Sequence, residues 1–182
     1  MTITPDEAGA MLADVDAIIA KVKLSRMYRR IGEITMLWGA IMLLEHLVGM
    51  AAPRWWPGIG EAGDALGVAA TLLLLVRGRS DREVRIPLRL LGAFALFFAF
   101  GFLWSDLGRF GPRELSVFWP SLFLFGYALA GLWLGVAFTA FGVVFSGLLL
   151  AGYFWAGQAF DLWIALVSGG GFVLFGLWMR RA

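Results

Sequence analysis

The sequence predicts an all-α membrane protein, a six-transmembrane helical bundle built from three hairpins and preceded by an amphipathic N-terminal cytoplasmic helix. Of the 182 residues, 60% are hydrophobic and 15% are charged, whereas soluble domains have about 25% charged residues. Apolar segments long enough to cross about 30 Å of hydrocarbon recur along the chain. Basic residues concentrate in alternate connections between these segments. The composition argues against a soluble globule and a disordered chain, and the lack of cysteine excludes disulfide, Cys-zinc and iron–sulfur frameworks.

Residues 1–30 form the first predicted unit, an amphipathic helix and a basic juxtamembrane segment. Thr4, Pro5 and Glu7 are typical of a helix start, with an N-cap, a first-turn proline and a capping-box glutamate. Apolar residues then recur at helical spacing, at Met11, Leu12, Val15, Ile18, Ile19 and Val22. Three uses of this stripe remain open: it lies on lipid, pairs with a second copy, or docks on the protein's own cytoplasmic face.

Charge favours a protein partner for this helix over anionic lipid. Asp14 and Asp16 lie in its acidic part, which anionic headgroups would repel. The connection between the second and third spans carries Arg79, Arg82 and Arg85 on the same predicted side of the membrane. We expect the helix to pack near that connection or near a partner's copy of it; the alternative is a solvated acidic segment.

Residues 31–182 form the predicted six-span domain. The second span is the weakest, because its uninterrupted apolar run covers only Ala65 to Val76. The uncharged stretch from Leu115 to Phe160 is too long for one span, which predicts a turn near Gly131 to Gly135. The six segments lie near residues 31–51, 60–76, 88–105, 115–132, 136–155 and 160–179.

Arginine and lysine predict the orientation of these spans. Twelve basic residues flank one predicted side, whereas Arg54, Arg109 and Arg113 flank the other. Because basic residues are retained in the cytoplasm, both termini are expected there. Most tryptophans fall near predicted span ends, which is typical of an interfacial belt. The low lysine and high alanine and glycine content resembles that of GC-rich bacteria, and it favours the bacterial inner membrane.

The three hairpins, residues 31–77, 88–134 and 135–180, have similar lengths, which suggests a threefold repeat. Short similar pieces recur in them: Leu37-Trp38-Gly39, Phe100-Gly101-Phe102 and Phe141-Gly142-Val143. In size and architecture the chain resembles the HdeD-type bacterial acid-resistance membrane proteins. The resemblance covers the membrane region and implies the three-hairpin fold, and it assigns no functional residue.

Small residues in the second half of the chain predict close helix packing. Helices in lipid associate where small side chains let their backbones approach. The candidates are two spaced pairs, Gly131 with Gly135 and Gly142 with Ser146, and the run Gly169, Gly170 and Gly171. That run either seats a bulky neighbour such as Trp133, or loosens or breaks its helix around a ligand.

Four ionisable residues near the predicted outer ends of the spans are candidates for a polar vestibule: Glu45, His46, Asp64 and Asp106. Such groups are costly in hydrocarbon and often mark function. Glu45 and His46 project about 100° apart on a helix, so they cannot face one partner. Candidate partners at the outer ends of the other spans include Arg54, Arg109 and Asp161. Either Glu45 is bonded to Arg54 or Arg109 and His46 to a carbonyl or a tryptophan, as a buried structural pair, or these residues line a vestibule that binds protons, ions or a solute.

Enzyme chemistry is not expected, because the chain has one histidine, no cysteine and no recognisable Ser–His–acid grouping. We expect no cofactor and no nucleic-acid partner; a metal site of Glu45 or His46 with Asp64 and Asp161 stays open without supporting spacing. The leading interpretation is a non-catalytic accessory, stress-related or interaction protein, which forms a homo-oligomer or joins a larger membrane complex. The alternatives are a small transporter or channel, and a membrane anchor for a redox or pigment partner.

Overall fold

A computed structural model describes residues 5–77 and 88–181, which are almost entirely helical. The α-helices are α1 Pro5–Ala51, α2 Trp56–Arg77, α3 Leu88–Leu107, α4 Pro112–Leu134, α5 Val136–Trp155, α6 Phe160–Ile164 and α7 Gly171–Arg181. Short 3-10 turns precede α2 and α6, and a π-helical segment, Ala165–Gly170, joins α6 to α7. We call α6, this segment and α7 together the C-terminal helix. The described part of the chain is all-α, as the sequence predicts.

Helix α1 joins the predicted N-terminal helix and the predicted first span without a break. It has 47 residues, which at 1.5 Å per residue makes it about 70 Å long. Its described side chains from Met11 to Met27 are exposed, and burial begins around Gly32. Its first part therefore extends beyond the bundle as a helix about 30 Å long.

Within residues 5–77 and 88–181, four helical segments are long and apolar enough to cross a membrane. They are Ser25–Ala51, Pro112–Leu134, Val136–Trp155 and Gly157–Arg181. Helices α2 and α3 contain shorter apolar stretches, Ala62–Leu74 and Ala95–Leu107. The chain thus has the character of an integral membrane protein, and the weak second span of the sequence analysis corresponds to one of the two shorter stretches.

The core lies between α1, α4, α5 and the C-terminal helix and is rich in aromatic rings. The Phe141 and Phe175 rings stack with centroids 3.9 Å apart, and Tyr127 meets Phe138, Phe141, Phe172 and Phe175. Such pairs add to the packing energy beyond their buried area. The most deeply buried large side chains are Leu124, Phe138, Leu149, Ile164 and Met179.

Hydroxyl groups link α1 to α4 inside this core. Thr35 Oγ1 donates to Ile31 O over 2.8 Å, so the hydrogen bond between Thr35 and Tyr127 has the tyrosine as its donor. Nearer the end of α4, Tyr28 Oη donates to Leu134 O over 2.6 Å. Because that carbonyl is in the last turn of α4, it has no partner within its own helix, and Tyr28 satisfies it.

Helices α2 and α3 lie on the outside of this core. Helix α2 packs mainly on α1, where Trp38 Nε1 donates to Thr71 Oγ1 over 3.1 Å. Helix α3 packs on α4 through aromatic rings; the Phe102 and Trp119 centroids are 4.9 Å apart. Both helices leave large apolar side chains exposed, as helices in contact with lipid do.

Candidate functional site

At its predicted outer end, α1 presents Glu45 and His46 to different neighbours. Glu45 lies against α2, where its carboxylate occupies the space in which Gly63 has no side chain. Its Oε1 is buried and has no hydrogen-bond partner among the residues that the structure describes. Asp64 follows Gly63 on α2 and is exposed. Glu45 and Asp64 are therefore brought to the same end of the α1–α2 contact.

His46 faces a different side of α1 and is only 7% exposed. Its Nδ1 lies 2.9 Å from Met42 O. Because a carbonyl oxygen only accepts, Nδ1 carries the proton and donates to it. Asp161, in the first turn of α6, is close enough to His46 to interact electrostatically.

His46 lines a cavity of about 610 Å³ between the ends of α1, α4 and the C-terminal helix. The cavity combines apolar walls with a few polar groups, as small-molecule sites do. Its polar and charged lining residues are His46, Arg113, Ser116, Gln158 and Asp161. The cavity is thus lined by an imidazole, a guanidinium and a carboxylate, which together can bind a charged or strongly polar solute.

Arg113 is held in place at this cavity by backbone and aromatic contacts. Its Nη2 donates to Tyr153 O over 2.9 Å. Its Cζ lies 4.5 Å from the Phe160 ring centroid and 5.4 Å from that of Tyr153, within the range of cation–π attraction. Tyr153 in turn donates to Glu114 Oε1 over 3.2 Å. These contacts restrict the guanidinium before any ligand arrives.

The structure separates the four predicted vestibule residues. His46 lies at the cavity, Glu45 and Asp64 lie at the α1–α2 contact, and Asp106 is exposed near the end of α3. The sequence analysis did not place Arg113 in the vestibule, and it considered Asp161 only as a candidate partner and a metal ligand. Their position in the first turns of two predicted spans that run in the same direction was the available signal, because such turns meet at one end of a bundle.

Two of the predicted packing glycines bring α4 and α5 together. A Cβ on Gly131 would collide with the backbone of Thr139. A Cβ on Gly142 would lie 2.6 Å from Ala128 N, so neither position accepts a side chain without moving a helix. Gly135 instead forms the connection, with φ +130° and ψ 154°, and Ser146 lies half-buried on α5.

The three-glycine run behaves differently at each residue. Gly169 faces α1, where a Cβ would lie 2.7 Å from Leu43 Cα, and Gly171 faces Phe145. A Cβ on Gly170 would meet nothing within 4 Å. Trp133, the suggested bulky neighbour, is 81% exposed instead. Gly169 and Gly170 end the π-helical segment and Gly171 begins α7, so the run packs closely and also lies where the chain departs from α-helical geometry.

Helix α1 supplies the matching glycines, which the sequence analysis did not single out as packing residues. A Cβ on Gly39 would lie 2.8 Å from Gly169 O, and one on Gly32 would lie 2.7 Å from Gly176 O. The two pairs repeat every seven residues along antiparallel helices. A seven-residue spacing of glycine in both segments was the signal that could have predicted them.

The structure describes only one half of the charge contact that was predicted for the N-terminal helix. Asp14 and Asp16 are exposed on α1, whereas Arg79, Arg82 and Arg85 lie outside the described residues. The contact therefore stays a prediction.

These observations define the class of the protein: an all-α helical bundle of membrane type. No family model, no curated protein and no solved structure matches this chain. Within residues 5–77 and 88–181, no three histidine or acidic side chains are grouped so that they could hold a metal ion.

Proposed function

We propose that the chain is a six-span protein of the bacterial inner membrane that acts without catalysis, as an accessory or interaction subunit. One observation carries this proposal: the N-terminal part of α1 extends beyond the bundle and exposes an apolar stripe. Met11 and Ile18 on it are 60% and 61% exposed. Contiguous apolar surface in water marks a site of protein association, and the acidic residues beside it oppose anionic lipid.

The exposed side chains of α2 and α3 support six spans in three hairpins. Leu72 and Leu73 on α2 and Leu96 and Phe100 on α3 are more than half exposed, which suits lipid contact. Consecutive helices α1 and α2, α3 and α4, and α5 and the C-terminal helix pack on each other, as three hairpins would. The resemblance to HdeD-type proteins adds the same expectation.

The topology is tested by cysteine labelling, since the chain has no cysteine of its own. Single cysteines at Arg54, Arg109 and Gln158 should react in intact cells with a membrane-impermeant maleimide. Cysteines at Arg79 and Arg181 should react only after the membrane is opened. Labelling of Arg79→Cys in intact cells would contradict the proposed orientation, and labelling of both groups alike would contradict the spans.

The interaction role is tested by the mass of the solubilised protein against 20.0 kDa for one chain. In a mild detergent we expect an assembly larger than one chain. Val15→Glu with Ile18→Glu should reduce it, because a charge on the stripe opposes burial. Ala13→Glu with Ala17→Glu, on the other side of the same exposed helix, is the matched control. A wild-type protein that is monomeric in detergent and in native membranes would refute the proposal.

A second candidate function, transport or binding of a small polar solute, is favoured by the cavity at His46. Flux across proteoliposomes, followed with a pH dye, should fall when His46→Gln or Arg113→Gln is introduced. Glu45→Gln should also reduce it if the α1–α2 contact takes part. Asp106→Asn is the control, because Asp106 lies away from the cavity. Equal flux in all variants, or none in the wild type, would exclude this candidate for protons.

A further inference from the structure

One face of α1 is exposed along most of the helix. Met11, Val15, Ile18 and Val22 fall within about 60° of one another when successive residues turn by about 100°. They are 45–61% exposed, and no described residue packs over them. Their 4-3-4 spacing is that of a coiled-coil seam, with the β-branched Val15 and Val22 seven residues apart, a placement common in two-stranded coils.

The same face continues into the membrane-spanning part of α1. At about 100° per residue, Arg29, Glu33, Ala40, Leu44 and Leu47 follow the stripe. Leu44 is 60% exposed and Leu47 is 40% exposed. We call this whole face the strip. Its N-terminal part lies in water, and the rest lies in the membrane and is apolar.

The other two faces of α1 are occupied. Gly32, Gly39 and Leu43 contact the C-terminal helix, and so does Met36, at the edge of the strip. Trp38 and Glu45 contact α2. The strip lies between these two contacts. A partner can approach it without displacing either helix.

We propose that a second copy of this chain covers the strip, with the two α1 helices parallel about a twofold axis normal to the membrane. This inference rests on the proposed interaction role and names its partner and surface. Copies inserted in one membrane share their orientation, so uninterrupted α1 helices that meet along this strip run parallel. A closed twofold pair is also the commonest oligomer symmetry.

Charge at the middle of the strip suits this arrangement. Arg29 Nε lies 3.7 Å from Glu33 Oε1 within one helix, and Arg29 is 72% exposed. In a parallel twofold pair, Arg29 of one copy lies opposite Arg29 of the other copy, and each guanidinium has the Glu33 carboxylate of its own helix one turn further on to offset the like charge. The two copies therefore bring two positive and two negative groups together at the start of the membrane, and no like charge is left alone there.

Single-cysteine cross-linking in native membranes tests the proposal. The variants are Met11→Cys, Val22→Cys and Leu44→Cys on the strip, with Ala13→Cys on the far side of α1 and Phe100→Cys on α3 as controls. Mild oxidation should convert each strip variant to a disulfide dimer, several-fold more than either control. Equal maleimide labelling of all variants after solubilisation shows that each variant carries its thiol and that equal amounts of the variants are compared.

Each other outcome overturns the proposal. Cross-linking at Val22→Cys, without any at Met11→Cys and Leu44→Cys, means helices that meet only near this residue and do not run parallel along the strip. Cross-linking at Leu44→Cys alone means that the aqueous stripe has another partner. A dimer by mass without cross-linking on the strip refutes this surface but leaves the interaction role intact, whereas a monomer in the membrane refutes both.

Discussion

Replacing Gly169 by alanine should loosen the bundle, whereas the same change at the adjacent Gly170 should not. The two glycines lie in one π-helical segment and differ in what surrounds them. A Cβ on Gly169 would lie 2.6–2.7 Å from the backbone and Cβ of Leu43, and one on Gly170 would meet nothing within 4 Å. The obstacle at Gly169 is helix backbone, so rotation of a side chain cannot relieve it.

The size of the effect follows from this distance. Carbon atoms pack at about 3.5–4.0 Å, so α1 and the C-terminal helix must separate by about 1 Å. A gap of that size forfeits about a quarter to a half of each contact's attraction, and overpacking of this kind costs about 1–3 kcal/mol. Alanine also has a higher helix propensity than glycine, worth up to about 1 kcal/mol. This gain offsets part of the packing loss at Gly169 and is unopposed at Gly170. We expect Gly169→Ala to destabilise by about 1–2 kcal/mol, and Gly170→Ala to be neutral or slightly stabilising.

Reversible unfolding in mixed detergent micelles measures this difference, with tryptophan fluorescence as the readout. A destabilisation of about 1.4 kcal/mol changes the unfolding equilibrium tenfold, which is well within reach of the assay. Gly39→Ala, on the α1 side of the same contact, should behave like Gly169→Ala. Equal stability of Gly169→Ala and Gly170→Ala would refute the close packing of these two helices.

Three further predictions concern single positions in the same unfolding assay or in ligand binding. Gly135→Ala should lower the free energy of unfolding by about 1–3 kcal/mol, because φ +130° with ψ 154° is a region nearly restricted to glycine. Gly147→Ala, at an open helical site, should leave the free energy of unfolding unchanged, and equal effects of the two substitutions would refute backbone strain as the cause. Tyr127→Phe removes the hydrogen bond to Thr35 and should lower the free energy of unfolding by about 0.5–1.5 kcal/mol. An unchanged unfolding midpoint would show that this hydrogen bond contributes nothing to stability. Arg113→Lys should weaken any anionic ligand of the cavity, because lysine lacks the planar fork that stacks on Phe160; unchanged affinity, measured by calorimetry, would place the ligand elsewhere.

Helix positions were predictable from this sequence because apolar length alone largely determines them. The predicted segments 115–132, 136–155 and 160–179 each lie within an observed helix or the C-terminal helix. The turn predicted between Gly131 and Gly135 occurs at Gly135. The continuity of α1 was not predicted, because the basic run ending at Arg30 suggested a boundary. A helix can pass through the membrane surface without breaking, and charge alone does not end it.

The candidate site was less predictable, because it depends on which helices are neighbours. The sequence placed Glu45 and His46 on different faces of one helix, and the structure assigns these faces to α2 and to the C-terminal helix. The predicted orientation puts Arg113 and His46 at the same end of the bundle, but nothing local in the sequence indicates that α4 lies beside the His46 face of α1. Such a pairing follows from the packing of the whole bundle and requires three-dimensional information.

The glycine contacts also determine the geometry of the cavity. Gly32 meets Gly176 and Gly39 meets Gly169, so each step of seven residues along α1 matches seven residues back along the C-terminal helix. One further step from Gly39 reaches His46, about 10 Å away, and the matching step from Gly169 reaches the first turn of α6, beside Asp161. The register that lets two helices approach is therefore the register that brings the imidazole and the carboxylate to one cavity. A substitution at Gly169 that separates the helices should consequently disturb the cavity as well as stability, whereas one at Gly170 should disturb neither.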